Sequence, residues 1–87
     1  MGRDEELLEA FAAELRARRS QLRLSQEELA YRASINRTYI AKLELAQNQP
    51  TLSIMHRLAT ALDHELPDLL RATLLRYRPN TTNHSKL

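Results

Sequence analysis

An all-α bundle of five helices is the fold that this sequence predicts, on three observations. Apolar residues recur at helical spacing in five separate stretches. Start signals sit where those patterns begin, at Asp4, Ser25, Thr51 and Pro67. No alternating strand pattern and no internal repeat appears along the chain.

Taking the elements in order, Asp4 is placed to cap a first helix of about 18 residues, with Leu7, Leu8, Phe11, Ala12, Leu15 and Leu22 as its apolar stripe. Ser25, followed three residues later by Glu28, forms the capping box of a second helix, on which Leu29, Ala30 and Ala33 share one face. After Ser34-Ile35-Asn36 the pattern restarts in a third helix, with Ile40 and Leu43 pointing back toward the second. Ala46-Gln47-Asn48-Gln49-Pro50 reads as a polar loop, and Thr51 as the cap of a fourth helix with Leu52, Met55, Leu58, Ala59 and Leu62 inward. Pro67 fits the first turn of a fifth helix, where its missing N–H costs nothing. Leu66, Leu69, Leu70, Leu74 and Tyr77 form its apolar side. From Arg78 the chain reads RPNTTNHSKL, polar and without period, so a domain over residues 4–77 and a flexible tail over 78–87 are expected.

Composition limits the function classes. Eighty-seven residues suffice for one domain. There is no cysteine, so neither a disulfide framework nor a thiolate metal site is available. No apolar run approaches the roughly 18 residues that a membrane span needs. The acidic start MGRDEELLEA is unlike a signal peptide, which makes a cytoplasmic protein the expectation. His56, His64 and His84 are scattered, and no nucleophile–base pair or glycine-rich phosphate loop is present. No enzyme, metal, cofactor, membrane or small-molecule substrate is therefore expected.

The net charge of +2 hides an uneven distribution. Residues 1–15 hold Arg3 against Asp4, Glu5, Glu6, Glu9 and Glu14. Residues 16–42 hold Arg16, Arg18, Arg19, Arg23, Arg32, Arg37 and Lys42 against Glu27 and Glu28 alone. A basic run is often just a solvated helix surface, but this one coincides with the short helix pair at Ser25–Glu44. A pair of that size is the usual device for placing a helix in the DNA major groove. The positive charge on it is the footprint of a nucleic-acid face.

Two charges break the apolar pattern. Arg19 lies four residues after Leu15 and three before Leu22, on the inward stripe of the first helix. Glu44 lies four after Ile40, beside the inward stripe of the third. Either both snorkel to solvent, or they meet in a bidentate pair that satisfies both groups. The pair is the expectation.

With these residues in view, positions 10–75 resemble the lambda-repressor-like, Cro/repressor (XRE-type) helix-turn-helix family. The resemblance rests on the pattern LRxxRxxxxLSQEELAxxAxIxRxYIxxLExxxxxPxLxxxxRLAxAL between Leu15 and Leu62, followed by the PDLL start of the fifth helix. Within that family, the AYRA, NRTYI, LE and PTL segments also resemble the small controller proteins of restriction-modification systems.

The resemblance implies a sequence-specific regulator of transcription that binds double-stranded DNA through a recognition helix over 37–44. It implies base contacts from Asn36, Arg37, Thr38 and Lys42. It implies backbone contacts from Gln26, Tyr39, Asn48, Gln49, Arg16 and Arg18, and a buried ion pair between Arg19 and Glu44. The family commonly has glycine after the second, third and fourth helices, where this chain has Ser34, Ala46 and Asp63. Either these residues take positive φ at a cost, or the turns differ locally.

One recognition helix reads too few bases for tight binding, so small relatives dimerise to place two helices about 34 Å apart on a (pseudo)palindromic site. A homodimer is expected here through Leu66, Leu70, Leu74, Leu75 and Tyr77, part of a late apolar surplus that also includes Leu62. The rival reading is a protein-interaction module, such as the antitoxin of a toxin–antitoxin pair.

Overall fold

The computed structural model describes residues 4–78 and holds five helices: α1 (Glu5–Gln21), α2 (Gln26–Ala33), α3 (Arg37–Glu44), α4 (Leu52–Ala61) and α5 (Leu66–Arg76). No strand occurs among the described residues. Residues 79–87 of the expected tail, with His84, lie outside them.

Each start signal does its local work. Asp4 Oδ1 accepts from the Leu7 N–H at 3.1 Å, and Thr51 Oγ1 from the Ile54 N–H at 3.1 Å. Ser25 and Glu28 form the full reciprocal box, with Ser25 N–H donating to Glu28 Oε1 at 2.7 Å and Glu28 N–H to Ser25 Oγ at 3.0 Å. Each bond satisfies a backbone donor that the helix itself leaves open. Pro67 occupies the first turn of α5.

The helix ends are more uniform than the sequence suggests. After α1, α2, α3 and α4 the chain passes through Arg23, Ser34, Ala46 and Asp63, with φ of 57°, 56°, 59° and 57°. In each case the next residue's N–H reaches back five residues: Leu24 to Arg19 O, Ile35 to Ala30 O, Gln47 to Lys42 O and His64 to Ala59 O. These are four Schellman closures built without glycine. The positive-φ turns thus form despite Ser34, Ala46 and Asp63, and Arg23 adds a fourth such position beyond the three expected. Each non-glycine residue in this region costs roughly 1 kcal/mol, offset in part by the closing hydrogen bond.

The core is a single cluster fed by all five helices. Leu15, Leu29, Ile40, Leu43, Leu58, Leu62 and Leu69 are its fully buried large side chains, and Phe11 and Leu24 complete it. Leu62, from the late apolar group, therefore closes the core. α5 packs along α1, α4 bridges α2 and α5, and α3 rests on α1 and α2.

Leu52 corrects the expected pattern: it is 66% exposed rather than inward. Periodicity alone puts it on the stripe with Met55 and Ala59, but residues 51–53 are all exposed, so the first turn of α4 stands clear of the core. The buried side of α4 begins one turn later.

Candidate nucleic-acid interface

The site is built around α3. Ile40 and Leu43 anchor one side of that helix in the core, leaving Arg37, Thr38 and Lys42 exposed on the other. Asn36, also exposed, is the N-cap: its Oδ1 accepts from the Thr38 N–H at 2.7 Å. That bond uses the acceptor of the Asn36 amide and leaves its NH2 group as a donor. The four residues expected to reach bases therefore share the start and outer side of one helix. Tyr39 is half-buried and packs against the core.

At the C-terminal end of this helix lies a polar hub centred on Glu44, whose side chain is 3% exposed. Arg19 Nε donates to Glu44 Oε2 at 2.6 Å and Arg19 Nη2 to Oε1 at 2.9 Å, the expected two-point pair. The hydrogen-bonded carboxylate raises the Arg19 pKa above its ordinary value, against the opposing effect of burial. Arg19 Nη1 also donates to Leu24 O at 2.9 Å, tying the pair to the α1–α2 connection. Arg16 Nη1 donates to the backbone oxygen of Glu44 at 2.5 Å, at the end of α3. Gln26 Nε2, from the start of α2, donates to Glu44 Oε1 at 2.9 Å. One carboxylate thus joins α1, α2 and α3.

The other residues expected at the DNA backbone are dispersed. Arg18 is engaged at the far end of α4, its Nε donating to Leu62 O at 3.1 Å and its Nη2 to Asp63 O at 3.4 Å. Asn48 is half-buried and Gln49 exposed in the α3–α4 loop. On α4, Arg57 Nη1 donates to Ser34 O at 3.3 Å and steadies the α2–α3 turn.

Of the expected dimer residues, Leu74 and Leu75 are 58% and 72% exposed. Leu70 and Leu74 line a groove of about 410 Å³ with Leu7, Leu8, Phe11 and Pro50. Leu66 instead packs against the core, and the Tyr77 hydroxyl donates to Asp4 Oδ2 at 2.9 Å.

Leu45, without an expected role, is 65% exposed and lies three residues beyond Lys42 and seven beyond Thr38. That spacing puts it on the same outer side of α3 and was the available signal. Among the described residues, no three His, Cys, Asp or Glu side chains stand together as metal ligands, and no helix is long and apolar enough to cross a membrane.

Residues 10–74 match the helix-turn-helix domain family. The chain belongs to that family. This helix-turn-helix protein is 38% identical over 65 residues to the control protein C.SmaI of Serratia marcescens, spanning 75% of the chain and 77% of that relative. It is 43% identical over 51 residues to an uncharacterized HTH-type transcriptional regulator of Methanothermobacter thermautotrophicus, spanning 59% and 74% of the two. Among solved structures, the restriction-modification controller protein C.AhdI of Aeromonas hydrophila superposes with a TM-score of 0.70 at 39% identity, covering 71% of this chain and 94% of that one. The fold is thus the all-α one of helix-turn-helix controller proteins. Its relatives are a transcriptional regulator and controller proteins, not enzymes.

Proposed function

We propose that this helix-turn-helix protein binds a (pseudo)palindromic double-stranded DNA operator as a homodimer and regulates transcription in the cytoplasm. The observation that carries the reading is the exposed face of α3: Asn36, Arg37, Thr38 and Lys42 stand on a helix whose other side is locked into the core. No acidic side chain interrupts that outer face. Arg37 can donate two bonds to guanine O6 and N7, the Asn36 NH2 group can donate to a base acceptor, and Thr38 can bond a base or pack on a thymine methyl. Lys42, one turn beyond Thr38, extends the contact along the groove. Gln26 supplies a backbone contact at the start of α2, where unsatisfied N–H groups and the helix dipole favour a phosphate. Tyr39, Asn48, Gln49 and Arg16 flank this surface as further backbone contacts. Arg18 contributes least, because its guanidinium already serves the end of α4.

The dimer forms through the exposed Leu74 and Leu75 and the adjoining groove, with Leu70 at its wall. The likeness to two controller proteins supports a role in controlling restriction-modification genes. Selection of bound sites from a random double-stranded DNA pool tests the reading. Enrichment of a twofold-symmetric site with half-sites about 34 Å apart is expected. A pool that shows no enrichment overturns DNA recognition, and an enriched site without symmetry overturns the dimer.

A further inference from the structure

The Arg19–Glu44 pair accounts for only part of what surrounds the Glu44 carboxylate. Its Oε1 accepts a second bond at 2.9 Å, from Gln26 Nε2. Gln26 is the first residue of α2 and half-buried, while Glu44 is the last residue of α3. A glutamine amide has two N–H donors on one nitrogen. With one committed to Glu44, the amide nitrogen is held beside the carboxylate and its second N–H is left to donate elsewhere. The carboxylate that fixes it is itself neutralised by Arg19 in two-point contact, so it adds little repulsion toward an approaching anion.

We propose that Glu44 is a positioning residue for DNA contact, holding the Gln26 amide so that its second N–H is presented to a backbone phosphate. The inference rests on the proposed DNA-binding function. It adds that the phosphate contact at α2 and the base-reading face of α3 are set in register by one buried carboxylate. Ordering the Gln26 side chain before DNA arrives removes an entropy cost that a free glutamine would meet on binding.

A double-mutant cycle on operator affinity tests this, with Glu44→Asp and Gln26→Ala measured singly and together at fixed salt. Glu44→Asp keeps the charge that Arg19 needs but draws the carboxylate back by one methylene. Affinity is expected to fall about 3–10-fold for Glu44→Asp in the parent chain, a part of what one hydrogen bond to a charged phosphate is worth, and less than about twofold in the Gln26→Ala background. An equal loss in both backgrounds overturns the inference. So does an unchanged affinity for Glu44→Asp when Gln26→Ala alone weakens binding. A parent protein that binds no DNA sequence instead overturns the function beneath it.

Should Glu44→Asp fail to fold, side-chain amide relaxation in the DNA-free parent protein decides. The Gln26 amide is expected to be as ordered as the helix backbone, in contrast to exposed Gln49. Equal mobility of the two amides overturns the proposal.

Discussion

Arg19 of α1 grips Glu44 of α3, 25 residues on in sequence, at two points, Nε on Oε2 at 2.6 Å and Nη2 on Oε1 at 2.9 Å. The Glu44 side chain is almost wholly buried, whereas Arg19 retains 19% exposure. Removing the arginine therefore leaves a buried carboxylate without its counter-charge, with the Gln26 amide as the side-chain donor that remains on it. Arg19→Ala is expected to destabilise the fold by roughly 2–4 kcal/mol, the lower end reflecting the partial exposure of Arg19. For a domain of this size that lowers the Tm by about 10 °C or more. A thermal melt that moves by less than about 3 °C would show the pair to be replaceable by water.

Ala46 holds φ of 59° with neither the missing Cβ of glycine nor the local hydrogen-bonding side chain of Asp63 or Ser34. The residue lies at the close of α3, where Gln47 N–H bonds back to Lys42 O at 2.9 Å. Ala46→Gly relieves the steric cost but gives the unfolded chain more freedom, so a net gain of at most about 0.5 kcal/mol is expected. That corresponds to a Tm rise of no more than about 4 °C. A fall in Tm would mean that the turn is not strained.

Glu28 links the fold to pH. The Ser25 backbone N–H, and then the Ser25 hydroxyl, hold its carboxyl below the ordinary glutamate range. Because the folded pKa lies below the unfolded one, the carboxylate's contribution is complete above the unfolded value of about 4.3 and is lost as pH falls through the lowered value. Glu28→Gln is thus expected to melt below the parent at pH 7 and to converge with it near pH 3. A gap of constant size at both pH values would mean that the charge plays no part in the cap.

How far such features could be read in advance depends on whether they are local. The Ser25–Glu28 box spans four residues, and its partners are identifiable from spacing alone. The Arg19–Glu44 pair is long-range, yet legible, because each charge sits on an apolar stripe and must find compensation there. Gln26 gives no such signal: a glutamine at a helix start is unremarkable until the third helix brings Glu44 to it. Arg18 likewise looks like a free basic side chain until Leu62 O and Asp63 O are folded against it. Leu52 is misread for a related reason, since periodicity reports which way a residue faces but not whether a neighbour extends that far. Arg23 in the left-handed region was hidden because arginine has no preference for it.

Leu74 and Leu75 offer a direct handle on assembly. Both are largely exposed in the single chain, so charging them should cost the monomer fold no more than about 0.5 kcal/mol. Leu74→Glu combined with Leu75→Glu is expected to shift a micromolar solution from dimer to monomer in sedimentation equilibrium, and to remove the dependence of Tm on protein concentration that a dimer shows. Affinity for a symmetric operator should fall by at least about tenfold, since each half-site is then held alone. A parent protein that sediments as a monomer at that concentration would sink the dimer.

Arg37 and Gln26 separate base reading from backbone holding. Arg37 is exposed at the start of α3, so its removal leaves the fold intact, and Arg37→Ala is expected to lose about 1–3 kcal/mol on the selected operator. Its signature is relaxed preference at one base pair per half-site, which a second round of selection with the variant would display. Gln26→Ala is expected to weaken binding to all sequences by a similar factor and to leave the preferred site unaltered, because a phosphate contact holds no sequence information. The salt slope should change little, since the glutamine is uncharged and releases no counterion. Unchanged affinity and preference for Arg37→Ala would mean that α3 enters the groove by a different face from the one bearing Asn36, Arg37, Thr38 and Lys42.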